Sequence, residues 1–159
     1  MENALISIYP SFVEAIQSGK KTVELRTRTP KFNCGTRLWI YSTKPVSKIQ
    51  LVAYVTGLTT DSPTSIWESF CTEMAISRKV FREYCSGHRK VCAISLSNVS
   101  KLQSELSLDA LRQIMPAFQP PQFFTSLNDH PNLTENLLSI LPETVPPIIP
   151  EDVGHAQGL

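Results

Sequence analysis

Five short runs of β-forming residues, each bounded by turn residues, limit how this chain can fold. They lie at residues 4–9, 21–27, 37–42, 48–57 and 90–97. Runs of this length rich in Ile, Val, Leu and Tyr, set between Gly, Pro and Asn, read as strands. Helical patterns interrupt them at a few places. Pro10 suits the first turn of a helix with Phe12, Val13 and Ile16 on one face, and Gly19 suits its left-handed end. Ser62-Pro63 opens a stretch carrying Ile66, Trp67 and Phe70. Ser77 caps a further helix with Val80, Phe81, Tyr84 and Cys85 on one side, ended by Gly87. Ser107–Ile114 and Leu133–Leu141 read as two more short helices. Strands joined mainly by short turns predict an α+β fold, a mostly antiparallel β-barrel of about five strands with flanking helices.

The length of 159 residues suits one domain. Pro116, Pro120 and Pro121 enforce an extended path, interleaved with Phe118, Phe123 and Phe124, that reads as a clasp over the core. Pro142, Pro146, Pro147 and Pro150 precede a polar end. The predicted division is therefore a domain over 1–141 and a flexible Pro-rich tail over 142–159. A chain 42% hydrophobic and 18% charged is globular, not a collagen repeat, a coiled coil or a wholly disordered polymer. No run approaches the roughly 20 apolar residues of a membrane span. The N-terminus lacks a basic stretch followed by a long apolar one, so a cytoplasmic protein with no membrane association is expected.

The net charge of +1 hides an asymmetry. Residues 1–60 carry +5, residues 61–101 carry +2 and residues 102–159 carry −6. A basic front suggests an anionic partner, and an ordinary dipolar surface is the alternative. Cys34, Cys71, Cys85 and Cys92 form no C-x-x-C pair, and His88, His130 and His155 lie scattered, so neither a metal site nor a cofactor is expected. Cys71, Cys85 and Cys92 fall in apolar patterns and are assigned to the core.

The chemistry concentrates at Gly19-Lys20-Lys21-Thr22-Val23-Glu24-Leu25-Arg26, a Gly-x-Lys-x-x-Glu-x-Arg pattern where a helix passes into a strand. Alternation puts Val23 and Leu25 on one face and Thr22, Glu24 and Arg26 on the other, with Lys21 at the junction. Arg holds a phosphate in a bidentate fork, and Lys supplies a point charge. Glu24 can accept from the amino edge of a base, and can equally pair with Lys21 or Arg26. Tyr9 and Tyr41 are the stacking candidates, while Trp39 suits the core better than a platform. Ser42, Thr43 and Lys44 would form one lip of a cleft, and Arg28, Lys31, Arg37, Lys44 and Lys48 a basic rim.

With Ile6-Ser7-Ile8-Tyr9-Pro10, Leu38-Trp39-Ile40-Tyr41-Ser42 and Pro120-Pro121-Gln122-Phe123, this pattern resembles the ASCH domain of the PUA-like superfamily, over roughly residues 4–127. The resemblance implies a PUA-like barrel with a cleft beside the Lys21/Glu24/Arg26 strand, and RNA or a modified nucleobase as its ligand. It also implies, as alternatives, a ribonuclease or a small amidohydrolase that removes the acyl group from N4-acylated cytidine. That amidohydrolase branch uses a Lys, a Thr three residues later and a Glu from the following helical region. Lys21 matches the first, Glu24 stands where the Thr would be, and Glu73 is the candidate for the helical carboxylate. If the protein is an enzyme, its catalytic set is therefore Lys21, Glu24 and Glu73. A third reading makes the Pro-rich tail a contact for another protein.

Overall fold

The computed structural model of the protein describes residues 1–143. The expected tail, beyond Glu143, lies outside the described residues. The elements run β1 (Asn3–Ile8), α1 (Pro10–Gln17), β2 (Val23–Arg26), β3 (Arg37–Ser42), β4 (Lys48–Asp61), α2 (Pro63–Met74), α3 (Arg78–Cys85), β5 (Val91–Ser107), α4 (Leu108–Ile114), β6 (Phe124–Ser126) and α5 (Pro131–Leu138).

The α+β class is as expected, but there are six strands, and they form one sheet ordered β2-β5-β4-β3-β1-β6. Every pairing is antiparallel except β1 with β3. Their long connection, which carries α1 and β2, permits the parallel return. The end strands β2 and β6 do not pair, so the sheet is curled and not a closed barrel. Its two ends nevertheless come together. The Arg26 guanidinium on β2 donates to the Ser7 carbonyl on β1 at 2.6 Å. Arg28 lies 4.6 Å over the Phe123 ring, and Phe32 meets Phe124 edge-on at 5.6 Å.

The curl comes from β4 and β5. Their ladder shifts register at three places, between Ile49 and Leu51, Val52 and Tyr54, and Val55 and Gly57. Each such bulge bends a strand and strengthens its twist. At the last one a Cβ on Gly57 would stand 3.3 Å from the Ser95 hydroxyl, so the close approach of the two strands favours glycine.

Three hydrophobic clusters hold the fold. One fills the concave side, where Ile6, Ile40, Leu51 and Ile94 meet Val13 and Ile16 of α1. A second covers the other face, where Leu5, Trp39 and Val52 meet Leu111, Leu133 and Leu137 of α4 and α5. A third joins Val23 and Leu25 to Ile66, Met74 and Phe81 of α2 and α3. Strand β1 is buried along its whole length because both its faces are covered. Trp39 is core, as expected, and its indole N–H donates to the Asn3 side-chain oxygen at 3.1 Å. Replacing Trp39 with Phe leaves that buried oxygen without its donor. Urea denaturation should show a loss of about 1–3 kcal/mol, whereas an unchanged midpoint would mean the bond carries no stability.

Candidate functional site

Glycine 19 sits at φ +81°, which turns the chain sharply after α1. The next residues are clamped from three sides. The Lys21 N–H donates to Ala15 of α1, the Thr22 N–H to the Glu73 carbonyl of α2, and the Leu96 N–H of β5 to the Thr22 carbonyl, all between 2.9 and 3.0 Å. Strand β2 therefore starts in a fixed register. Val23 and Leu25 enter the third cluster, and Glu24 and Arg26 take the opposite face.

Lys21 is 1% exposed. Its ammonium donates to the Met74 carbonyl at 2.7 Å, capping the C-terminal end of α2, and lies 4.9 Å over the Phe12 ring. Burial lowers the Lys21 pKa from its ordinary value; Glu24 opposes that shift and Arg26 adds to it. Glu24 is also buried. One carboxylate oxygen accepts from the Leu25 N–H at 2.9 Å, and the other has no partner in the protein. Arg26 commits one terminal nitrogen to Ser7 and leaves its Nε without a partner. The Ser7 hydroxyl is unpartnered as well. Among the described residues the one ion pair is Lys48–Glu105, so Glu24 contacts neither Lys21 nor Arg26 directly.

These four side chains share one cavity of about 940 Å³. Tyr9, Tyr41, Thr43 and Lys44 line it from the β1 and β3 ends, Val80 and Tyr84 from α3, and Arg112 and the 119–123 segment from across the seam. The volume suits a small ligand, and three of the residues lining it, Ser7, Glu24 and Arg26, each carry a buried polar atom with no partner in the protein. An unpaired buried group costs about 1–3 kcal/mol, which a ligand hydrogen bond would recover.

Of the residues expected at the site, Lys21, Glu24, Arg26, Tyr9, Tyr41, Thr43 and Lys44 come together here. Tyr9 is 68% exposed and free to stack, with Phe12 beside it at 6.3 Å. Tyr41 is 2% exposed and fixed in the second cluster, so it is a wall and not a platform. Ser42 is fully buried away from the cavity lining, and Arg28 is taken up by Phe123. Glu73 is exposed and outside the cavity lining; its backbone carbonyl, not its carboxylate, supports the site. The basic rim is also dispersed. Arg37 lies on Tyr54 and Lys48 pairs with Glu105, leaving Lys44 as the one rim residue in the lining.

Ser7, Tyr84, Arg112 and Gln122 were not singled out from the sequence as site residues. Tyr84 read as part of an apolar helix face, but that face divides. Phe81 and Cys85 point into the core, while Val80 and Tyr84 stay exposed on the cavity wall. Burial raises the Tyr84 pKa, with Arg26 pulling it the other way, so the phenol stays protonated at neutral pH.

Lys21 should leave a pH signature in stability. The unfolded chain keeps this proton up to about 10.4, and the folded chain releases it sooner. Between those values the unfolded state binds more protons, so Lys21 makes unfolding harder as pH rises, by at most about 1.4 kcal/mol per pH unit. Tyr84, Cys85 and Cys92, whose pKa values burial raises, act in the opposite direction. The difference between wild type and Lys21→Met in chemical denaturation isolates the Lys21 contribution. It should shift in favour of wild type as pH climbs above neutral, and a constant difference would contradict a buried, easily deprotonated Lys21.

Comparison with known proteins agrees with this architecture. The ASCH domain model matches residues 6–105. A curated Zymomonas mobilis protein described as an ASCH domain-containing ribonuclease is 35% identical over 139 residues, covering 87% of this chain and 92% of that one. The crystal structure of ASCH from Zymomonas mobilis superposes with a TM-score of 0.81, covering 88% of this chain and 96% of that one. A tyrosine-to-phenylalanine variant of the same protein, 34% identical, gives 0.82, covering 89% of this chain and all of that one. With the helix-to-strand Lys21/Glu24/Arg26 pattern inside the matched region, the chain belongs to the ASCH domain family.

Proposed function

We propose that the protein binds RNA with one nucleotide in the 940 Å³ cavity and cleaves the strand there. The observation that carries this reading is the set of unpartnered groups on Glu24, Arg26 and Ser7 around a lysine of lowered pKa. The ribonuclease description of the Zymomonas mobilis relative supports RNA as the substrate class.

The groups divide by chemistry. Lys21, deprotonated more readily than an ordinary lysine, takes the proton of the ribose 2′-hydroxyl. The 2′-oxygen bonds to the neighbouring phosphorus, and the bond from phosphorus to the 5′-oxygen breaks. Arg26 stabilises the charge on the non-bridging oxygens through its free Nε–H. The Tyr84 phenol, protonated at neutral pH, supplies the proton that the departing 5′-oxygen takes up. The products are a 2′,3′-cyclic phosphate and a 5′-hydroxyl. Glu24 orients the nucleotide by accepting from a base amino group. Tyr9 stacks at the mouth.

The test is mass detection of products from an RNA oligonucleotide beside its all-deoxy counterpart. Wild type should yield cyclic-phosphate ends from RNA alone. Lys21→Ala should lower the rate by about 10²–10⁴-fold, while Glu73→Ala, outside the cavity, should leave it unchanged. Binding without cleavage would reduce the protein to an RNA-binding module, and the absence of RNA binding would overturn the reading. A second reading, hydrolysis of an N4-acylated cytidine, is favoured by Lys21 beside Glu24 in the same cavity. N4-acetylcytidine belongs in the same assay, and release of cytidine from it would displace RNA as the substrate.

A further inference from the structure

Helix α3 separates two concavities. Val80 and Tyr84 face the large cavity, and Arg78, Phe81 and Arg82 face a smaller one of about 290 Å³ between α2 and α3. The smaller pocket is aromatic and basic. Trp67 packs on Phe81 with ring centroids 5.0 Å apart, and the Arg78 guanidinium lies 6.0 Å over the indole. Glu68 is the one acidic side chain in its lining. Arg78 and Arg82 are four residues apart on the helix, so they project side by side from one face.

The pocket opens on a strongly charged surface. Residues 78–90 carry Arg78, Lys79, Arg82, Arg89 and Lys90 against Glu83 alone. All five cations are exposed, and none is in an ion pair among the described residues. Alternating aromatic and cationic groups beside a basic surface are what single-stranded nucleic acid uses for base stacking and phosphate contact. A ligand that merely filled the large cavity would have no use for the far side of α3.

We propose that the α2/α3 pocket is a second RNA subsite, where a nucleotide flanking the one in the cavity stacks on the Trp67–Arg78 pair while Arg78 and Arg82 hold its phosphates. The strand would cross the ridge of α3 between Tyr84 and Arg82. This inference rests on the reading that RNA occupies the cavity.

Fluorescence anisotropy with non-cleavable 2′-O-methyl RNA tests it, using a dinucleotide and an octanucleotide on the full chain. Arg78→Ala/Arg82→Ala should weaken octanucleotide binding by about tenfold and reduce the salt slope by about 1.4, the value for two phosphate contacts on a single strand. Dinucleotide binding should not change. Arg78→Lys/Arg82→Lys should restore the slope, which separates charge from a packing defect. Arg26→Ala should weaken both ligands. If the alanine pair binds the octanucleotide as wild type does while Arg26→Ala does not, the second subsite is overturned and the cavity reading stands. If wild type binds neither RNA, both fall together.

Discussion

The bond from Arg26 to the Ser7 carbonyl stands where a strand-to-strand ladder would otherwise close the sheet. Strand β6 pairs with β1 only from Ala4 to Ile6, so the Ser7 carbonyl lies just past that short ladder. A guanidinium reaching across from β2 takes it instead. This choice has a structural consequence. A full ladder between β2 and β6 would have produced a sealed barrel, with the space between its ends filled by side chains. Side-chain contacts across the gap, the Arg26 bond with Arg28 on Phe123 and Phe32 on Phe124, hold the two ends together and leave a cavity between them. Arg26 therefore shapes the cavity that it also lines.

The same economy appears at Lys21. Its ammonium caps the end of α2 and so fixes that helix against the start of β2. A helix C-terminus needs no buried lysine for this, since water or a left-handed turn serves equally well, and Ala75 already adopts that turn at φ +50°. Burying a cation is costly unless it is closely paired, and Lys21, Glu24 and Arg26 make no close ion pair with one another. Two cations and one anion held apart, each with part of its hydrogen-bonding capacity spent on backbone, form a constellation of net positive charge in which Glu24 and Arg26 keep an unpartnered atom. Perturbed, incompletely paired groups of this kind concentrate where ligands bind and reactions occur.

Much of this was legible where local chemistry decides structure. Pro10, Ser62-Pro63, Ser77 and Ser107 marked the helix starts, and the three serine hydroxyls do accept from backbone N–H groups three residues on, at 3.1–3.2 Å. The alternation in β2 assigned Glu24 and Arg26 to one face correctly. The second half of β5 was not legible. Lys101, Gln103, Ser104 and Glu105 are exposed polar residues, and the bulges opposite them break any simple period. Strand β6 is three residues long and exists only because β1 offers it an edge. The far wall of the cavity was hidden for a related reason. Tyr84 and Arg112 reach it through the curl of the sheet, a property of long-range pairing that no short window of sequence records. Glu73 sits in the last turn of α2 with its side chain exposed, outside the cavity lining, and meets β2 only through its carbonyl.

With RNA in the cavity as proposed, Lys21 would meet it as a buried amine of lowered pKa. NMR of the lysine side-chain nitrogens, assigned by comparison with Lys21→Met and followed through a pH titration with and without a 2′-O-methyl RNA oligonucleotide, measures both parts at once. One lysine resonance should titrate clearly below the others and move when RNA is added. A Lys21 signal that titrates with the surface lysines and ignores RNA would contradict it.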